Sequence, residues 1–170
     1  MLCPMFEPME QGKAELELAR RYFANYGPAS LKDAAYFFGT TQKQVKGWLD
    51  GLPVETVQYE GRTLFFMPRK KEWSAQITDC LFLAGFDPLM LGYEKRENPF
   101  LLQQHIRGIY NLAGIVMPAV LLHGNVAGKW KNKGSTLEVT LFEPVCRQNV
   151  EYMVQRAKTL WPDKQLVCIE

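Results

Sequence analysis

Three capped helical segments come first, then two β-rich runs around a glycine turn, then a succession of short strands with one long amphipathic helix. That order predicts an α+β chain. Residues 1–72 read as a winged helix-turn-helix. Residues 73–170 read as a small β-barrel or strongly curved sheet with flanking helices, including one near the C-terminus.

From Glu10 to Tyr26, apolar residues recur at mixed three- and four-residue steps (Ala14, Leu16, Leu18, Ala19, Tyr22, Phe23, Tyr26), the period of a helix with an apolar face. Gly27-Pro28 stops it. Ser30 with Asp33 has the spacing of reciprocal N-terminal capping, so LKDAAYFF is a second helix, and Gly39 suits its C-terminal end. Thr41 with Gln44 repeats that spacing and opens a third helix, QKQVKGWLDGL. Val45, Trp48, Leu49 and Leu52 line its inner face, leaving Gln42, Lys43, Lys46 and Asp50 outside. VETVQY and RTLFFMP flank Glu60-Gly61, a hairpin signal. Helices followed by a hairpin are the parts of a winged helix, in which the third helix enters the major groove and the hairpin is the wing.

Arg69-Lys70-Lys71 marks the boundary, and composition changes beyond Trp73. TDCLFLAGF reads as a strand and PFLLQQHIRGIYN as one helix. GIVMPAVLLHG and VAGKWKN form a second hairpin across Gly124-Asn125, and STLEVTLFEP adds a strand after Lys133-Gly134. RQNVEYMVQRAKTLW is amphipathic, with Val150, Met153, Val154, Ala157 and Leu160 on one face, and QLVCIE closes as a strand.

At 170 residues the chain is long enough to bury a substantial core. A net charge of +2 neither demands nor forbids a nucleic-acid partner, so the clustering of charge decides more than its sum. No apolar run approaches the ~20 residues that span a bilayer, and MLCPMFEPMEQ lacks the features of a signal peptide. Cys3, Cys80, Cys146 and Cys168 are scattered, so free thiols and a cytoplasmic location are expected. With His105 and His123 as the only histidines, no cluster has metal-ligand spacing; neither metal nor cofactor is expected.

Three stretches together resemble the C-terminal half of the winged-helix DNA glycosylases of the AlkZ/YcaQ-like family. They are ELARRYFANYGPASLKDAAYFFG, FDPLMLGYEKR and MPAVLLHGNVAGKWK, and they span most of the chain from Glu15 to Leu141. The last contains a Gly-x-Val-x-Gly-x-Trp hairpin formed by Gly124, Gly128 and Trp130. The resemblance implies winged-helix modules and a β-barrel that cradle duplex DNA, and hydrolysis of the N-glycosidic bond of alkylated purines. It also implies a catalytic Gln-hydrophobic-Gln or Gln-hydrophobic-Asp motif in an N-terminal half that this chain lacks. Gln42-Lys43-Gln44 and Gln58-Tyr59-Glu60 come nearest; cap and turn explain them better, and no catalytic residue is assigned.

The expected partner is therefore duplex DNA. Gln42, Lys43 and Lys46 on the third helix, Arg62 on the wing and His123 at the second hairpin would contact it. So would Lys129, Lys131 and Lys133, which project from one strand face opposite Trp130. Lysines on exposed strands also guard sheet edges, a reading that competes with DNA contact. Asp87, Tyr93 and Arg96, in the family-like GFDPLMLGYEKREN stretch, are given structural roles: Asp87 accepting backbone N–H bonds at a turn, Arg96 pairing with an acid. Two further readings stand beside DNA binding. One is a protein-interaction or dimerisation module, in which a partner chain or second copy covers the surface the missing half would cover. The other is an active glycosylase with unrecognised catalytic residues.

Overall fold

The computed structural model describes residues 7–68 and 78–169, and the chain divides into two compact units, Met1–Glu72 and Trp73–Glu170. The Arg69-Lys70-Lys71 boundary, Trp73 and Cys3 lie outside the described residues.

The first unit runs α1 (Gln11–Asn25), α2 (Leu31–Phe38), α3 (Gln42–Leu49), β1 (Glu55–Tyr59) and β2 (Arg62–Phe66). The cap at α2 forms in both directions. Ser30 Oγ accepts the Asp33 N–H at 3.1 Å, and Asp33 Oδ2 accepts the Ser30 N–H at 2.9 Å. Gly39 ends the helix at φ 63°, where a side chain would be strained. Only half the box forms at α3: Thr41 Oγ1 accepts the Gln44 N–H at 3.2 Å, while the Gln44 side chain turns to Glu15. Tyr22 and Phe23 from α1, Ala34 from α2 and Val45 and Leu49 from α3 make the core. Trp48 Nε1 donates to Glu15 Oε2 at 3.0 Å, pinning α3 to α1. Glu60 and Gly61 both have positive φ, as a two-residue hairpin turn with matching twist requires. Ala29 and Phe65 exchange backbone hydrogen bonds at 3.0 and 2.8 Å, which docks the β1–β2 hairpin on the segment between α1 and α2.

The second unit holds β3 (Cys80–Leu83), α4 (Pro88–Leu91), α5 (Ile106–Ile109), β4 (Ala119–Leu122), β5 (Asn125–Lys133), β6 (Thr136–Leu141), α6 (Arg147–Leu160) and β7 (Gln165–Ile169). Its sheet has the order β3-β4-β5-β6-β7. β3 and β7 are opposite edges, so the sheet is open and curved; the barrel alternative does not hold. The reason is that α6 takes the space a barrel would enclose. Met153, fully buried, packs with Val120, Leu122 and Val139 on that face. The β6–α6–β7 crossover makes β7 parallel to β6, while all other pairs are antiparallel.

The opposite face of β3 and β4 is covered by α4 and α5, with Met90, Ile109, Ala119 and Leu121 at its centre. PFLLQQHIRGIYN is not one helix. It is a 3-10 turn at Gln103–His105 followed by the single turn of α5, with Gly108 set so close to Phe142 that a Cβ would lie 2.6 Å from the ring. The expected turns shift by one residue: β4 and β5 join through His123-Gly124, and β5 and β6 through Gly134-Ser135. Ala127 is an extra residue in β5 with no partner in β4, since Val126 pairs with Leu121 and Gly128 with Val120. Gly128 then lies so close to β6 that a side chain would strike the Thr140 carbonyl and lie 3.1 Å from Leu141 Cα.

Candidate nucleic-acid interface

On α3 the buried pair Val45 and Leu49 turns the other face outward. Gln42, Lys43 and Lys46 are exposed there, and neither lysine has an acidic partner among the described residues. Asp50, the C-terminal cap, is exposed on the same helix. On the β1–β2 hairpin, Arg62 faces Glu60 at 3.8 Å across the turn. Gln58 donates to Thr63 at 2.9 Å, and Gln44 is held by Thr41 and Glu15; cap, turn and strand contacts thus engage the two nearest Gln motifs.

The strand lysines behave differently. Lys131 and Lys133 converge on one carboxylate, with Lys131 Nζ 2.9 Å from Glu138 Oε2 and Lys133 Nζ 2.7 Å from Glu138 Oε1. The hydrogen bond from Lys133, then that from Lys131, holds the Glu138 carboxyl below the usual carboxylate range, and Glu138 in turn raises Lys133. Lys129, opposite Thr140, has no acidic partner among the described residues. Trp130 points the other way, donating Nε1–H to the Leu83 carbonyl at 2.8 Å and packing against Phe82 and Trp161. Glu138 was within reach of the sequence. Once the turn is set at Gly134-Ser135, strand pairing puts it opposite Lys131.

His123 sits at the hairpin turn with φ 48°, yet its ring is tied down. Nε2 lies 2.9 Å from Asn149 Oδ1, Nδ1 lies 3.6 Å from Asp79 Oδ1, and Tyr152 meets the ring edge to face. Gly124, next in the turn, has φ 84°.

The GFDPLMLGYEKREN stretch is a structural joint. Asp87 Oδ1 accepts the Leu89 N–H at 2.9 Å and caps α4. Tyr93 is buried edge-to-face on Phe100. The Arg96 guanidinium is exposed and pairs with no acid among the described residues, so the expected ion pair is absent; its backbone N–H instead bonds Glu94 at 3.1 Å.

A family model described as DNA glycosylase AlkZ-like matches residues 3–160. The chain belongs to this family. Among curated relatives, an interstrand DNA cross-link repair glycosylase of Streptomyces sahachiroi is 26% identical over 156 residues, covering 87% of this chain and 42% of that protein. The solved structure of Streptomyces sahachiroi DNA glycosylase AlkZ superposes with a TM-score of 0.84 at 22% identity, over 96% of this chain and 48% of that one. The chain thus spans about half the length of these relatives.

Within the AlkZ-like fold, the three hairpin markers have physical reasons. Gly124 takes a left-handed turn, Gly128 lets two strands approach, and Trp130 fastens β5 to the β3 carbonyl. Among the described residues no cluster of His, Cys, Asp or Glu has the form of a metal site, and no helix is long and apolar enough to cross a membrane. Cys80, Cys146 and Cys168 are free thiols, and burial pushes Cys80 up to about 11.

Proposed function

We propose that this AlkZ-like chain is a duplex-DNA-binding module that serves DNA repair, with the catalytic motif supplied from outside these 170 residues. One observation carries the reading: α3, anchored through Val45, Leu49 and the Trp48–Glu15 hydrogen bond, holds Gln42, Lys43 and Lys46 outward, with neither lysine paired to an acid among the described residues. Two ammonium groups one helical turn apart suit successive phosphates and release counterions on binding. The wing and Lys129 would add contacts at the margins.

The test is fluorescence anisotropy with a labelled duplex across salt concentrations. Binding should weaken steeply with salt, and Lys43→Glu with Lys46→Glu should flatten that dependence. Binding indifferent to salt and unmoved by the double reversal would end the reading. A duplex carrying an N7-alkylguanine tests cutting in the same preparation, since base release above the spontaneous rate would locate catalysis within this chain.

A second reading has its own observation. Phe37 (41% exposed) is an uncovered apolar ring packed on Tyr22 and Tyr26, and Leu18 (53%) and Tyr36 (40%) are exposed apolar side chains of the same unit. Such a patch suits a partner chain supplying the rest of the family's length, or a second copy of this chain. Tight self-association in sedimentation, lost in Phe37→Glu, would favour it.

A further inference from the structure

Beside the tethered His123 lies a cavity of about 200 Å³ between the start of β3 and α6, lined by Asp79, Cys80, Tyr152, Gln155, Arg156 and Thr159. Arg156 is its unusual member. Its Nε is buried with no hydrogen-bond partner, and no acid lies within ion-pair distance of its guanidinium among the described residues. A buried guanidinium N–H without a hydrogen-bond partner is costly, because that donor forfeits its hydration. Its neighbour Cys80 does not supply the charge, since burial keeps that thiol protonated. Asp79, the one carboxylate in the wall, lies 3.6 Å from the His123 ring.

The other walls offer donors. Tyr152 Oη accepts from Gln148 Nε2 at 2.7 Å, which leaves its own proton to give. Gln155 is exposed at the rim, one residue before Arg156. A guanidinium, a phenol and an amide lining a space of this size offer the donors that the oxygens of a phosphate require.

We propose that Arg156, with Tyr152 and Gln155, forms a phosphate-binding subsite that takes one backbone phosphodiester of bound nucleic acid next to the His123-Gly124 turn. The β4–β5 hairpin is thereby registered on the backbone from its flank. The assignment rests on the DNA-binding reading above, and the test separates the two.

Anisotropy with a labelled duplex is measured for the wild-type chain, Arg156→Gln, Arg156→Lys and Asp79→Asn, with circular dichroism melts to verify folding. Arg156→Gln should lower affinity roughly tenfold at low salt and flatten the slope of log K against log salt by ~0.9, the loss of one phosphate contact. Arg156→Lys should keep the slope, and Asp79→Asn should tighten binding a few-fold by removing a repulsive charge. A wild-type chain that binds while Arg156→Gln keeps both affinity and slope overturns the subsite and leaves the DNA reading intact. Weaker binding by Asp79→Asn also overturns it, since the carboxylate would then be receiving a donor from the ligand. Should the wild type bind no duplex, inorganic phosphate is titrated against α6 amide resonances. Shifts abolished by Arg156→Gln would keep the site as one for free phosphate, and their absence removes it.

Discussion

Lys43 and Lys46 on α3, and Lys131 and Lys133 on β5, are two pairs of the same side chain, each pair repeating at the period of its element. Among the described residues the helix pair has no acidic partner, while the strand pair shares Glu138. A basic stripe read along one strand counts only the charges of that strand, whereas the potential it presents includes whatever the neighbouring strand places opposite. In a helix the outward face has no such neighbour. Local periodicity is thus a better guide to charge on α3 than on β5.

Reversing Lys43 and Lys46 to Glu should give the largest effect, a roughly 100-fold loss of duplex affinity at low salt, read by anisotropy. The same reversal at Lys131 and Lys133 should cost far less, and equal losses would abolish the distinction. Glu138→Gln sharpens it from the other side. Freeing both strand lysines should tighten duplex binding several-fold and steepen its salt dependence; unchanged binding would mean the β5 face never meets DNA. Asp33→Ala removes the buried cap of α2, on which α3 packs, and should lower thermal stability by about 1 kcal/mol. A calorimetric melt should show the loss in a transition that Glu138→Gln leaves in place.

The smallest effect belongs to Glu17, which draws Arg20 (2.6 Å) and Arg21 (2.8 Å) together on α1 much as Glu138 draws its lysines. The hydrogen bonds from Arg20, then Arg21, lower its pKa to about 2. A depressed carboxylate stabilises the fold above its unfolded value near 4.5 and loses that contribution as pH falls toward about 2. Glu17→Gln should remove this small acid-side slope from a pH series of melts and leave neutral pH nearly unchanged.

What was legible in the sequence was local. The Ser30–Asp33 cap, the Gly39 stop, the Glu60-Gly61 turn and the buried Met153 and Ala157 of α6 all depend on residues within a few positions of one another. Leu160, placed with them on the inner face, is 40% exposed because it falls in the last turn. The helix expected over PFLLQQHIRGIYN shortens because Gly108 must back onto Phe142, more than thirty residues away in sequence. The open sheet depended on α6 filling one face, which no spacing within the strands records. For the interface, lysine positions were readable and lysine freedom was not. Arg156 escaped notice because it sits on an amphipathic helix whose apolar members explain the pattern without it.

The unpaired Ala127 has a consequence for how this hairpin tolerates change. Val126 belongs to the core under α4 and α5, and Trp130 to the core under α6, although strict alternation would put residues four apart on one side. The extra residue acts as a half-period phase slip, so the strand before it and the strand after it address different cores. Most substitutions in β5 touch one core at a time, whereas deleting Ala127 alone would bring the two halves back into phase and send either Val126 or Trp130 to the wrong side. In this strand, residue count carries more information than residue identity.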